Sequence, residues 1–287
     1  MNIAFVGDIH GRVFHLMAIL AQWQKVTGRR LDFIVQVGDF GAYPNPDEPL
    51  RSSRFVREDP TELDFSKYVR ADRSLLDKAC RIRSQLGAPI RFIRGNHEDF
   101  GYLSSLGDRN ANETAADEID MFRYVRDGTI HDIGGQRIAY LGGIETGTPG
   151  DERSLDMEAY GKLMEYGPGA IDILVTHDAP YGVGTNFHGR TQGSALITEL
   201  IRRMEPAFLF AGHYHQRIGP LPFGRTTYFG LNILLPPRSD PRRTEPTETI
   251  QSGSLAVLDT DTMTAEFVTD ATILAAVERN FDFLTWA

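Results

Sequence analysis

The sequence predicts a mixed α/β fold, a mixed sheet or two packed sheets with helices outside. Three observations predict it. In the first hundred residues, short apolar runs alternate with longer amphipathic ones, the pattern of parallel βαβ units. Each early apolar run stops at a glycine-containing turn. Hydrophobic residues at 41% and charged residues at 24% are ordinary globular values, so a sizeable core can be buried and wholesale disorder is disfavoured.

Residues 3–6 read as a strand that begins almost at once. Residues 14–26 carry Phe14, Met17, Ala18, Ala21 and Val26 near helical spacing, and Gly28 is a stop signal. Residues 33–37 are β-branched-rich and end in Gly38-Asp39. Residues 72–86 form a helix closed by Gly87 and Pro89, and 90–93 a third strand. Further on, Gly134-Gly135 between two apolar runs is a hairpin signal over 130–141. Residues 171–176 and 207–211 are short buried strands with a helix over 194–204 between them, and 226–229, 254–258 and 265–268 are closing strands. Two proline-rich stretches, 43–67 and 236–246, lack core periodicity and read as long surface loops, the first also as a lid or insertion. Ligand-type residues flank both, so neither is a linker, and we read residues 1–287 as one domain.

The formal net charge is -9, from 30 Lys+Arg and 39 Asp+Glu, with eight His and one Cys. That balance argues against sequence-blind nucleic-acid binding over the whole surface, which needs clustered Lys and Arg. One Cys makes no internal disulfide, which disfavours a secreted, disulfide-built fold, and any metal site must be built from imidazole and carboxylate. No stretch reaches the ~18 apolar residues of a membrane span, and the first residues lack the basic leader of a signal peptide. The expectation is therefore a cytoplasmic protein with no membrane association.

The informative residues lie at the carboxyl ends of the expected strands, where α/β sheets place ligands and catalytic groups. In chain order they are Asp8-Ile9-His10, Gly38-Asp39, Gly95-Asn96-His97-Glu98, Thr176-His177 and Gly212-His213-Tyr214-His215. Taken singly each has a bland reading: Gly38-Asp39 a turn, Asn96 a cap, His177 a satisfied core histidine. Five such elements, each at a strand end and each rich in His, Asp or Asn, are hard to produce by chance.

Those residues in that order resemble the calcineurin-like metallophosphoesterase family, over Asp8 to His215, about three quarters of the chain. The resemblance implies a four-layer αββα sandwich, two central mixed sheets flanked by helices, and two divalent metal ions. Asp8, His10 and His215 would hold one, Asn96, His177 and His213 the other, and Asp39 would bridge both. His97 would be the catalytic acid rather than a ligand. Two cations ~3.5–4 Å apart can share a bridging hydroxide and clamp a phosphoryl group in an in-line displacement. Carboxylate, imidazole and amide ligands suit Mn, Fe or Zn without choosing among them.

The chain also departs from relatives within that family. Protein Ser/Thr phosphatases usually continue the GD motif with VDRG, and the Asp that orients the catalytic His in them is Ala42 here. That leaves Glu98, Asp99 or a backbone carbonyl to orient His97. The sequence around His213 and His215 looks more like phosphodiesterase-type members. RNA lariat debranching enzymes share GDF, a loop insertion and GNHE, but typically carry Cys where His10 stands.

The expectation is a hydrolase of phosphoester bonds, foremost a phosphodiesterase acting on a phosphorylated small molecule or nucleotide. Nucleic acid is a less favoured substrate. A phosphomonoesterase, a protein-phosphatase-like enzyme and a non-catalytic scaffold are the alternatives, and complete ligand positions argue against the last. Arg12, His188 and Arg190 are candidate substrate contacts. Arg238, Arg242 and Arg243 read as a solvated basic loop, and His15, His131 and Cys80 as structural.

Overall fold

A computed structural model describes residues 1–108, 110–148, 150–185, 189–238 and 247–286. The chain opens with β1 (Asn2–Val6), α1 (Val13–Thr27) and β2 (Phe33–Gln36). Four short helical pieces follow: α2 (Glu48–Arg51), α3 (Arg54–Glu58), a 3₁₀ turn (Pro60–Leu63) and α4 (Asp64–Tyr68). Then come α5 (Arg73–Leu86), β3 (Ile90–Phe92), α6 (Phe100–Ser105), β4 (Glu113–Ala115) and β5 (Phe122–Val125). The next stretch holds the hairpin β6 (Ile130–Ile133) and β7 (Gln136–Leu141), α7 (Met157–Leu163) and β8 (Ile173–Thr176). A two-residue ladder, β9 (Gly184–Thr185) with β10 (Thr191–Gln192), precedes α8 (Ala195–Met204) and β11 (Phe208–Ala211). The chain closes with β12 (Ile218–Phe223), β13 (Thr226–Gly230), β14 (Leu255–Asp259), β15 (Thr264–Phe267) and α9 (Ala271–Leu274).

Two mixed sheets result. One runs β15-β14-β1-β2-β3-β5-β4, the other β12-β13-β11-β8-β7-β6. β1, β2 and β3 are parallel to one another, as are β8 and β11. The inner faces pack together through Phe5, Val35, Ile93, Val175, Phe210 and Phe229, all buried. Phe5 and Phe210 stack across the interface with ring centroids 3.7 Å apart. A second cluster buries α1 and α5 against the outer face of the first sheet, and a third buries α7 and α8 against the second. The order helices, sheet, sheet, helices is the four-layer arrangement expected, because each sheet has two apolar faces to cover.

The stretch 43–67 corrects the sequence reading. It is not a plain surface loop. Asp47, Ser53 and Asp59 each accept a backbone N–H through the side chain and start a helical piece, and Pro49 and Pro60 sit in first turns, where proline's missing N–H costs nothing. Val56 and Phe65 from this stretch are buried. Cys80 is half-buried rather than a core residue. Of 236–246 only 236–238 are described; Pro236 is buried there, and Arg242 and Arg243 lie outside the described residues.

Candidate metal centre

Five loops meet at the carboxyl ends of β1, β2, β3, β8 and β11, and backbone hydrogen bonds lock them together. Ile9 and His10 N–H donate to the Asp39 carbonyl, and Gly11 N–H to that of Phe40. Gly95 must be glycine, since a Cβ there would lie 2.1 Å from Asp39 Oδ1. Gly212 must be glycine for a like reason, at 2.2 Å from Asp8 Oδ1. Seven non-glycine residues among those described have positive φ, and four of them are His10, Asp39, His213 and His215. Such strain persists only where surroundings impose it, and its concentration here marks a functional site.

The ligand-type atoms form two groups that share Asp39. Asp8, His10, Asp39 and His215 are one, and Asp39, His177 and His213 the other, the atoms of each group lying within 4.8 Å of one another. In the first, His10 Nε2 faces His215 Nε2 at 3.1 Å, and His215 Nε2 lies 2.9 Å from Asp8 Oδ2. In the second, His177 Nε2 lies 3.1 Å from Asn96 Oδ1 and 3.3 Å from Asp39 Oδ1. Asp39 thus presents Oδ1 to the second group, while its Oδ2 lies 3.8 Å from His10 Nε2.

The tautomers decide what these groups can hold. His177 Nδ1 lies 3.0 Å from the Val37 carbonyl, so Nδ1 carries the proton and donates. A neutral His177 therefore turns a lone pair on Nε2 toward two acceptors, Asn96 Oδ1 and Asp39 Oδ1. With His177 neutral, one imidazole lone pair and two oxygen acceptors converge on one point, a ligand set that fits a divalent metal ion. The electrostatics agree. Burial lowers His10 to about 3, and burial with the nearby His177 lowers His213 to about 4, so both are neutral and ligand-competent near pH 7. Burial disfavours charge on His177, but Asp39, Asp8 and the Val37 carbonyl outweigh it and raise the ring to about 9. The carboxylates stabilise positive charge at this point, whether it sits on a ring or on a metal ion.

Backbone donors hold the carboxylates still. Asn96 and His97 N–H donate to Asp39 Oδ1 at 2.7 and 2.8 Å, and His213 N–H donates to Asp8. Glu98 is fully committed: Phe40, Gly41, Ala42 and Gly95 N–H all donate to its carboxylate at 2.7–3.3 Å. Burial raises its pKa to about 8 against the pull of those donors. Glu98 therefore anchors the Asp39 loop and is unavailable to orient His97. Asp99 caps α6 through Tyr102 N–H. Among the described residues, no side chain or carbonyl hydrogen-bonds the His97 ring, which is exposed at the cluster's edge, 5.3 Å from the His10 ring.

Arg12 is a correction. It is 0% exposed, with Nε and Nη2 each 3.0 Å from Asp59 Oδ2 and Nη2 3.0 Å from Glu62 Oε1. A guanidinium with two carboxylate partners and no solvent access braces the fold and does not reach a substrate oxygen. Arg190 is exposed just before β10 and is not among the described residues lining the cavity over the cluster. His188 lies outside the described residues. His15 is buried against the Arg279 carbonyl, and His131 lies 3.2 Å from Tyr140 Oη. Arg238 pairs with Glu248 and donates to the Glu58 carbonyl. The sequence reading missed Glu62, Tyr43, Leu50 and Phe55 beside the site, because short pieces of helix carry no motif.

Comparisons with known proteins point the same way. The profile of the calcineurin-like phosphoesterases matches residues 1–217. A lariat debranching enzyme of Drosophila melanogaster is 25% identical over 256 residues, which cover 77% of this chain and 44% of that one. One of Arabidopsis thaliana is 24% identical over 247 residues, covering 75% and 54%. The chain spans about half the length of these curated relatives. A solved structure superposes with a TM-score of 0.56 at 14% identity, covering 93% of this chain and 97% of that one, a likeness of fold alone. No described helix is long and apolar enough to cross a membrane.

Proposed function

Because the chain belongs to the calcineurin-like phosphoesterase family, we propose that it is a metal-dependent phosphodiesterase with a dinuclear centre. One observation carries the reading: two groups of ligand-type atoms share the Asp39 carboxylate at the meeting point of five strand-end loops. In this reading Asp8, His10 and His215 would hold one ion, Asn96, His177 and His213 would hold the other, and Asp39 would be shared between them. Divalent ions there supply Lewis acidity at the phosphate oxygens and activate a water near neutral pH. The chain's own contribution would be to hold the ions and to manage the proton. His97, exposed beside the cluster, donates a proton to the leaving oxygen. Its backbone N–H bond to Asp39 fixes where the ring starts, while the ring stays free to follow the leaving group.

The diester preference is supported by relatives named for debranching lariats, and by Ala42 in place of the Asp usual in protein phosphatases. Debranching itself is not carried over, since the chain matches only part of those enzymes. The test is a Mn²⁺-supplemented assay of bis(p-nitrophenyl) phosphate and p-nitrophenyl phosphate in parallel, with a chelator control. The reading predicts faster, chelator-sensitive release from the diester. Faster release from the monoester would make the protein a phosphomonoesterase, and none from either would leave it a scaffold.

A further inference from the structure

The cluster opens into a cavity of about 170 Å³ with His10, His97 and His215 at its base. Tyr43, Leu50 and Phe55 from the 43–63 stretch line it, together with Ile233 and Pro237. We propose that this cavity is the subsite for a nucleobase, so that the preferred substrate is a nucleotidyl phosphoester whose base lodges beside the metal centre. The inference rests on the phosphodiesterase reading for its chemistry and on the cavity for its specificity.

Size and lining carry it. An apolar cavity of ~150 Å³ takes one benzene ring, so this one takes a flat ring, and it is partly open to solvent. Among the described residues, no Lys or Arg lines the cavity. The one carboxylate, Glu62, is held by Arg12 at 3.0 Å. The described walls thus offer no cation to a second phosphate and much to an apolar face. Phe55 is 53% exposed at the rim. A large aromatic left in water beside a catalytic cluster gains by stacking on a base, which every base's π-face permits.

The cavity is also built to stay open. Asp59, 3% exposed, receives Arg12 and Arg279 at the end of α3. Arg279 also donates to the carbonyls of Pro236 and Thr247. One buried guanidinium therefore ties together both proline-rich stretches that wall the cavity. A preformed pocket loses little ordering entropy on binding.

The experiment is calorimetric binding of adenosine 5′-monophosphate and of ribose 5-phosphate to the Mn²⁺-loaded protein. Wild type should hold the base-bearing ligand at least about tenfold tighter. Phe55→Ala and Leu50→Ala, both outside the core, should lose most of that preference with ribose 5-phosphate affinity unchanged and the circular dichroism spectrum intact. Equal affinity of wild type for the two ligands would overturn the proposal, as would a preference kept in the double variant. A base preference without turnover of bis(p-nitrophenyl) phosphate would sink the phosphodiesterase reading and leave the subsite standing; turnover without a base preference would do the reverse.

Discussion

The base of the cavity and its walls are made by opposite means. The base is built from loops of a few residues, each following a parallel strand and each held by backbone N–H groups, with four side chains at strained positive φ. The walls come from 43–63 and 233–237, stretches far apart in the chain and joined through buried Arg279, which pairs with Asp59 and donates to the Pro236 carbonyl. Asp59 is 47 residues from Arg12 and 220 from Arg279. The contrast separates two tasks. Chemistry needs atoms fixed to a fraction of an ångström, which short loops on a rigid sheet provide. Selectivity needs shape, which a braced but irregular segment provides and can change without disturbing the chemistry.

If the tasks are separable, substitutions in one region should spare the other. The largest effect is expected at the base. His97→Ala should lower turnover of an alkyl ester by about 10²–10⁴ while metal content is unchanged, since the ring is not among the grouped ligand atoms. Unchanged rates with a poor leaving group would remove the acid role. Next comes the brace. Asp59→Asn leaves Arg12 and Arg279 buried without their shared carboxylate and should cost about 3–5 kcal/mol of stability in urea unfolding. Metal affinity in the variant's native state should stay near wild type; an equal collapse of both would show that base and wall are one unit.

Smaller effects sharpen the picture. Glu98→Gln puts an amide N–H₂ where backbone N–H groups converge, loosening the loop that carries Asp39. Metal affinity should fall about 10–100-fold with little change in base preference, measured by metal titration. The smallest effect is on acid stability. Burial pushes Asp59 up, but Arg12, the Thr61 hydroxyl and Arg279 outweigh it and hold it at about 2, below the ordinary 3.8. A carboxyl lowered on folding stabilises the native state fully above its ordinary value, and that contribution disappears as pH falls through the folded one. Wild type should therefore lose on the order of 2 kcal/mol through this group between pH ~4 and ~2. Asp59→Asn should lack that part of the slope.

The same contrast explains what the sequence disclosed. The clustering of these residues was legible because Asp8-Ile9-His10, Gly95-Asn96-His97 and Gly212-His213-Tyr214-His215 are local patterns whose spacing is set by a strand end. The strands β1, β2, β3, β8 and β11 were legible for the same reason, as short apolar runs bounded by glycine. The role of Arg12 was not, because a guanidinium next to a metal motif reads as a substrate contact until its partners are known. The pieces α2 and α3 span only four and five residues, too short for a helical period to register. β12 escaped notice because Ile218–Phe223 contains two prolines, tolerated there because it is an edge strand. Glu98 is one of three groups the sequence offers to orient His97, and four backbone donors claim it.

The claim on which the rest depends is that two metal ions sit on a shared Asp39. The direct measurement is the number of Mn²⁺ ions bound per chain, by calorimetric titration of metal-stripped protein, for wild type and Asp39→Ala. Two ions in wild type and neither held tightly in the variant is the predicted result. No ion in wild type, or two held equally well without the Asp39 carboxylate, would contradict it.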